Sequence, residues 1–222
     1  MNFKDDLELF AWMKNNLYTA VVCDALDQLG FHDQAMDGRI RPLHPDFVIA
    51  GRARTVLWMD IYQPIEENPY GKEIEAVDAL RPGDVIVHST DFSLRNAPWG
   101  ELMSTASKMR GAHGAIVDSN TRDVKKILAL GFPVFTAGIK PLDSMGRGYV
   151  VDYDCLIECG GIKVRSGELV FADYDGIVVV PKEVEKEVLE IAEHKVTAEN
   201  STRDELFQGA LLREVYDKYG VL

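Results

Sequence analysis

Residues 101–135, ELMSTASKMRGAHGAIVDSNTRDVKKILALGFPVF, decide the fold. Glu101 to Arg110 has helical spacing, with Leu102, Thr105, Ala106 and Met109 on one face. Ala115-Ile116-Val117 is an apolar run of strand length, Val124 to Leu130 is helical again, and Pro133-Val134-Phe135 is a second strand. Such alternation predicts an α/β core with parallel pairing.

Upstream, Arg81-Pro82-Gly83-Asp84 is a turn feeding the strand Val85-Ile86-Val87, and Glu73 to Leu80 is a short helix. Gln63 to Gly71, with two prolines and a glycine, is a loop, and Val48 to Trp58 is β-rich. The first thirty residues read as two helices. Leu7, Phe10, Ala11 and Leu17 form the stripe of the first, and Thr19 caps the second, which ends at Gly30. Downstream of Gly146 the chain is rich in strands and turns, with Asp175-Gly176 as a hairpin signal. Pro181 opens a helical tail that breaks near Asn200-Ser201-Thr202.

The 222 residues carry 24 basic and 36 acidic side chains, a net charge of −12. That field disfavours nucleic acid, which is held by clustered Lys and Arg. A hydrophobic fraction of 46% supports a packed core and excludes intrinsic disorder. No apolar run approaches the ~20 residues of a membrane span, and the N-terminus lacks the basic-then-apolar order of a signal peptide. A soluble, cytoplasmic chain with no membrane partner is therefore expected. Cys23, Cys155 and Cys159 read as reduced thiols, and the C-x3-C spacing of the last two has no second ligand pair for zinc.

Chemistry concentrates in two strand-to-helix junctions. Gly100 closes the loop Arg95 to Trp99 and opens a helix, leaving the amides of Glu101, Leu102 and Met103 free for a carboxylate or phosphate. Asp118 to Asp123 lies at a strand's carboxyl end, where open α/β sheets bind ligands. Taken singly, Asp123 and Glu101 read as first-turn acids and Arg122 as a surface cation. Together they describe an anion site with a carboxylate able to hold Mg²⁺. His88 and His113 have no ligand-spaced partner and read as structural. Asp173 and Asp175 read as turn residues, and Glu199 as an exposed helix-end acid with a neighbouring subunit's pocket as the alternative.

Glu101 and Arg122-Asp123 bracket twenty residues. With Gly100-Glu101-Leu102, Arg110-Gly111-Ala112-His113-Gly114, Gly131 to Phe135, Cys159-Gly160-Gly161 and Ala172 to Gly176, they make the chain resemble the RraA-like family. It looks most like the branch of class II pyruvate aldolases that cleave 4-hydroxy-4-methyl-2-oxoglutarate and related acids, and the resemblance runs from about Asp24 to Leu222. It implies a β/β/α swivelling-domain α/β fold with a helical C-terminal extension. The expected organisation is a catalytic domain over residues 1–182 that includes the N-terminal helices. A helical extension over residues 183–222 packs on the core or on a neighbouring subunit. It further implies a homotrimer or a hexamer built from two trimers, and a divalent cation, Mg²⁺ or Mn²⁺.

By the same resemblance, Asp123 is the metal ligand, Arg122 holds the 2-oxo oxygen, and Gly100, Glu101, Leu102 and Met103 hold the substrate carboxylate. Glu101 orients a water that relays a proton. The implied activity is lyase chemistry on a small 2-oxo acid, releasing pyruvate from a 4-hydroxy-2-oxo acid, with oxaloacetate decarboxylation through the same enolate. Other members of the family lack the acid at 101 and inhibit an RNA-degrading endonuclease; that regulator is the alternative, and Glu101 favours the enzyme. Two departures stand out. Aldolases of the family usually carry Asp where this chain has Glu101, and many relatives read Asp-Gly where it reads Asp118-Ser119-Asn120-Thr121, which is expected to add polar bulk beside the pocket.

Overall fold

The computed structural model describes residues 3–221; Met1, Asn2 and Leu222, the outer bounds of the two expected segments, lie outside the described residues. Two helices, α1 (Asp6–Asn16) and α2 (Thr19–Gln28), precede a short strand β1 (Arg41–Pro42) and the long strand β2 (Ile49–Asp60). The middle alternates as read: α3 (Gly71–Asp78), β3 (Asp84–Ser89), α4 (Glu101–Met109), β4 (Gly114–Thr121), α5 (Val124–Leu130) and β5 (Val134–Ile139). Five further strands follow: β6 (Gly148–Tyr153), β7 (Ile157–Cys159), β8 (Ile162–Val164), β9 (Leu169–Ala172) and β10 (Ile177–Val180). The helices α6 (Glu185–Phe207) and α7 (Leu212–Tyr219) end the chain. No helix among the described residues is long and apolar enough to cross a membrane.

The main sheet runs β1-β5-β4-β3-β2-β9-β10. Its centre, β2 to β5, is parallel, as the alternation requires. The length of β2 lets one edge serve two partners: Ile49–Arg52 pairs with β9 and Val56–Asp60 with β6, both antiparallel. Side chains alternate across the sheet. Ile86, Ala115 and Val117 face the helices α3 to α5, while Val85, Val87 and Ile116 face the β7–β8 hairpin. Both faces are covered, which is why these strands read as continuous apolar runs. The turn into β3 depends on Gly83, whose φ of +88° is left-handed.

Four local expectations are corrected. In α1 the buried residues are Leu9, Phe10 and Met13, with Leu7 exposed and Leu17 buried just beyond the helix. Arg52 on β2 bonds both carboxylate oxygens of Asp6 at 2.7 and 2.8 Å, and that tether turns Leu9 and Met13 inward. Thr19 does not cap α2: it is the first helical residue, and Asp173 from the β9–β10 turn accepts its amide at 2.8 Å and its hydroxyl at 2.6 Å. The tail does not break at residues 200–202. There α6 runs on to Phe207, with the hydroxyls of Thr197 and Ser201 folded back onto carbonyls one turn earlier instead of capping a new helix, and the break falls between α6 and α7. Finally, the face of α4 that carries Leu102 and Met109 points outward, with those side chains 76% and 71% exposed, while Ser104 and Ser107 are buried.

Candidate active site

The strand reaches further than Val117: β4 continues through the polar run 118–121 to Thr121, and all four residues are buried. Their partners come from distant segments. Asp118 accepts the amide and hydroxyl of Thr90 at 2.7 and 2.8 Å, Asn120 donates to the Asn96 carbonyl at 2.9 Å, and Thr121 donates to Thr136 at 3.0 Å. Ser119 bonds the Ser93 carbonyl. Asp118, Ser119 and Asn120 brace the loop 90–99, Thr121 ties β4 to β5, and none of the four lines the cavity, so the expected polar bulk beside the pocket is absent from it.

The chemistry begins one residue later. The amide of Arg122 donates to the Trp99 carbonyl at 2.9 Å, which ties the end of β4 to the loop before α4. Asp123 is left-handed, with φ 60° and ψ 28°, a conformation that costs a non-glycine residue about 1–3 kcal/mol and clusters at functional sites. Its carbonyl starts α5, accepting from Lys126 and Ile127, but its carboxylate makes no bond to that helix. The carboxylate turns instead to the N-terminus of α4, where the Glu101 amide lies 3.4 Å from Oδ2. Glycine is required at position 100 for this approach, since a Cβ there would sit 2.9 Å from Asp123 Oδ2 and 3.2 Å from Arg122 Cγ. The first-turn amides of Leu102 and Met103 have no acceptor within their own helix.

These groups line a cavity of about 300 Å³. Trp99 forms its buried floor, fixed by an indole N–H donating to Ser104 Oγ at 2.8 Å, which in turn donates to the Gly100 carbonyl at 2.9 Å. Arg122 spans the cavity between two carboxylates: Nε is 3.7 Å from Asp123 and Nη1 is 3.7 Å from Asp143. Both separations exceed a direct hydrogen bond of about 2.7–3.2 Å, so the guanidinium keeps N–H groups for a ligand. Glu101 lines the same wall and accepts the Thr105 hydroxyl at 3.1 Å.

Three titratable lining residues escape the sequence reading: Tyr70, Glu73 and Asp143. Tyr70 donates its hydroxyl to Asp143 at 2.8 Å. Burial raises Asp143, but the Tyr70 hydroxyl, Arg122 and the amides of Ser144 and Met145 together hold its carboxyl below the usual range. Burial, the hydrogen bond to Asp143 and that residue's charge push Tyr70 up to about 12. Glu73 is 7% exposed; burial first and Asp143 second push it up to about 8, against the pull of Arg122, so it is largely protonated at neutral pH. A signal for Glu73 was available. It stands at i, with Ala76, Val77 and Leu80 at i+3, i+4 and i+7, as an acid on a stripe that is otherwise apolar and buried.

The remaining candidates lie elsewhere. His88 is fully buried between Trp58 and Trp99, accepts the Trp58 indole N–H at Nδ1 (3.0 Å), and is pushed down to about 3 by burial. His113 meets the Ala50 carbonyl at 2.7 Å and packs edge-on against Phe10. Asp173 caps α2, and Asp175 donates its amide to Asp173. Glu199 sits within α6, half-buried and bonded by the Tyr18 hydroxyl, so it is not an exposed helix-end acid.

Among the described residues no cluster of three or more His, Cys, Asp or Glu side chains is placed to hold a metal by itself. The donor set nonetheless fits a hydrated dication: four carboxyl groups line the cavity against one arginine, and the Asp123 carboxylate is not spent on its own helix. Mg²⁺ accepts one or two carboxylates and keeps its waters.

The profile of the family described as "RraA-like: Aldolase/RraA" matches residues 19–179. The chain belongs to the RraA-like family. A relative from Halalkalibacterium halodurans, named "Putative 4-hydroxy-4-methyl-2-oxoglutarate aldolase", is 32% identical over 177 residues, covering 80% of this chain and 79% of its own. One of the same name from Halorhodospira halophila is 28% identical, covering 76% of this chain and 98% of its own. Among solved structures, Streptomyces coelicolor RraAS2, described as an unusual member of the RNase ES inhibitor RraA protein family, superposes with a TM-score of 0.81. It is 28% identical and covers 91% of this chain and all of its own. The expected RraA-like α/β fold with C-terminal helices is therefore the one found, and the site built above lies inside the matched residues.

Proposed function

We propose that this RraA-like protein is a divalent-metal-dependent lyase that cleaves a 4-hydroxy-2-oxo acid to pyruvate, the reaction class carried in its relatives' names. The single observation behind this reading is the Asp123 carboxylate, held in a left-handed backbone, turned away from its own helix and set beside Arg122 at the α4 N-terminus. Asp123 would hold Mg²⁺ or Mn²⁺, and the bound dication would supply electrophilic stabilisation of charge on the C2 oxygen.

The chain's own groups do the rest. The amides of Leu102 and Met103 bind the C1 carboxylate, and Arg122 donates to the C2 oxygen. As the C4 hydroxyl loses its proton and the C3–C4 bond breaks, the electron pair moves through C3 onto that oxygen, and Arg122 stabilises the charge where it grows. Glu101 orients the water that takes up the proton and returns one to C3 of the enolate. Loss of carbon dioxide from oxaloacetate leaves the same enolate, so the same groups serve it. Assembly into a trimer or a pair of trimers accords with the exposed Leu102 and Met109 on α4, since large apolar side chains left on one helix face favour a protein contact.

A lactate-dehydrogenase-coupled assay tests the reading, with 4-hydroxy-4-methyl-2-oxoglutarate, other 4-hydroxy-2-oxo acids and oxaloacetate as candidates. Pyruvate is expected with Mg²⁺ or Mn²⁺ and none with EDTA, and Arg122→Ala is expected to lower turnover about 10²–10³-fold. A protein that only regulates an RNA-processing endonuclease releases no pyruvate from any of them, and that result overturns the proposal.

A further inference from the structure

We propose that Asp143, clamped by Tyr70, is the positioning residue for Arg122: it holds the guanidinium where the C2 oxygen arrives while Asp123 is engaged elsewhere. The proposal rests on the pyruvate-releasing reading and adds to it the pair that aims its arginine.

A guanidinium on a long, half-exposed side chain does not aim itself. The Arg122 side chain leaves the end of β4 and reaches into the cavity, with Nε 3.7 Å from Asp123 and Nη1 3.7 Å from Asp143. The two carboxylates differ in what else they do. Asp123 is the next residue in the chain and is the metal-holding carboxylate of that reading, and charge engaged on a dication no longer fixes the arginine. Among the described residues, Asp143 is the other acid within ion-pair distance of Arg122.

Asp143 is held still from several sides. Its Oδ2 accepts the Tyr70 hydroxyl at 2.8 Å, and its Oδ1, which faces Arg122, accepts the Ser144 amide at 2.8 Å. The Met145 amide donates to the same carboxylate. The loop that carries it is closed in turn by the amides of Arg147 and Gly148, which donate to the Ser144 carbonyl at 2.8 and 2.9 Å. Tyr70 stands at the start of α3, where its carbonyl accepts the Ile74 amide at 2.9 Å. A carboxylate accepting at both oxygens is suited to aim a cation. The pair adds little to folding stability, because its side chains are 38% and 40% exposed, so its value lies in direction. Its separation is longer than a hydrogen bond, as is common for catalytic contacts before a ligand closes the site. Tyr70, Asp143 and Arg122 belong to one chain, so the bracket is complete before a neighbouring copy or a dication is added.

The sign of one substitution separates aiming from charge. Removing the Asp143 charge leaves the cavity more positive, which on its own tightens an anion. Asp143→Asn is expected to do the opposite. Binding of oxalate, an enolate mimic, to the assembled protein with Mg²⁺ is measured by isothermal titration and is expected to weaken about tenfold or more, while kcat for pyruvate release falls by a similar factor and KM changes far less. Tyr70→Phe, which keeps the ring, is expected to act in the same direction by about threefold, and it carries the same test should Asp143→Asn fail to fold. In the Arg122→Ala background neither change is expected to lower oxalate affinity further, since both act through Arg122. A dication or a neighbouring copy is common to every protein in this cycle and cancels from the comparison. Oxalate tightened by Asp143→Asn, or weakened by the same factor with and without Arg122, overturns the positioning assignment and leaves the lyase reading intact. Coupled loss of oxalate affinity in a protein that releases no pyruvate from any candidate acid does the reverse. Oxalate that does not bind the unaltered protein with Mg²⁺ overturns both.

Discussion

Asp123 combines strain with a free carboxylate, and the two effects separate on substitution. Glycine adopts φ 60° without steric cost, so Asp123→Gly is expected to leave thermal stability unchanged or raise it by about 1 kcal/mol. The same change is expected to abolish metal-dependent turnover; a variant that keeps its turnover removes Asp123 from the site. Glu73 offers a second test at this scale. Between the ordinary carboxyl value of 4.5 and about 8, the folded chain keeps a proton that the unfolded chain has released. Stability therefore falls as pH rises through that window, by up to about 1.4 kcal/mol per pH unit from this group. The stability difference between Glu73→Gln and the unaltered protein, measured by denaturant unfolding, is expected to shift in the variant's favour from pH 5 to pH 8. A difference that does not change with pH contradicts the buried, protonated state.

At the level of elements, the site is a junction: the end of β4, the start of α5 and the start of α4 converge within hydrogen-bond range because Trp99 accepts from Arg122 and Gly100 leaves room for Asp123. Gly100→Ala is expected to push Asp123 and Arg122 apart, with turnover falling at least tenfold while circular dichroism stays unchanged; full turnover would show that the close approach is dispensable. Arg122 and Asp123 were legible in the sequence because a strand-length apolar run followed directly by a helix sets its polar junction at a strand's carboxyl end. Ser119, Asn120 and Thr121 misled for the opposite reason. Polar residues suggest that the strand has ended, and the partners that make them tolerable inside β4, at Ser93, Asn96 and Thr136, lie far away in the chain. Asp143 and Tyr70 carried no local signal at all, since their meeting depends on how α3 and the loop after β5 pack together.

Across the whole molecule, the alternation of helices and strands was readable because both faces of the sheet are covered and the apolar runs are unbroken. The outward Leu102 and Met109 belong to this scale, together with Phe207 and Leu211 at the α6–α7 junction. A trimer or hexamer is expected in sedimentation velocity, at three or six times the mass of one chain. The double change Leu102→Asp, Met109→Asp is expected to shift it toward the single chain, and a native protein that sediments as one chain contradicts the assembly. Each of these expectations returns to one corner of the cavity. A crystal of the protein soaked with Mn²⁺ and oxalate, a planar mimic of the pyruvate enolate, probes it most directly. The anomalous peak of manganese is expected on the Asp123 carboxylate, with oxalate against Arg122 and the amides of Leu102 and Met103. Manganese and oxalate bound together at any other place in the molecule would contradict it.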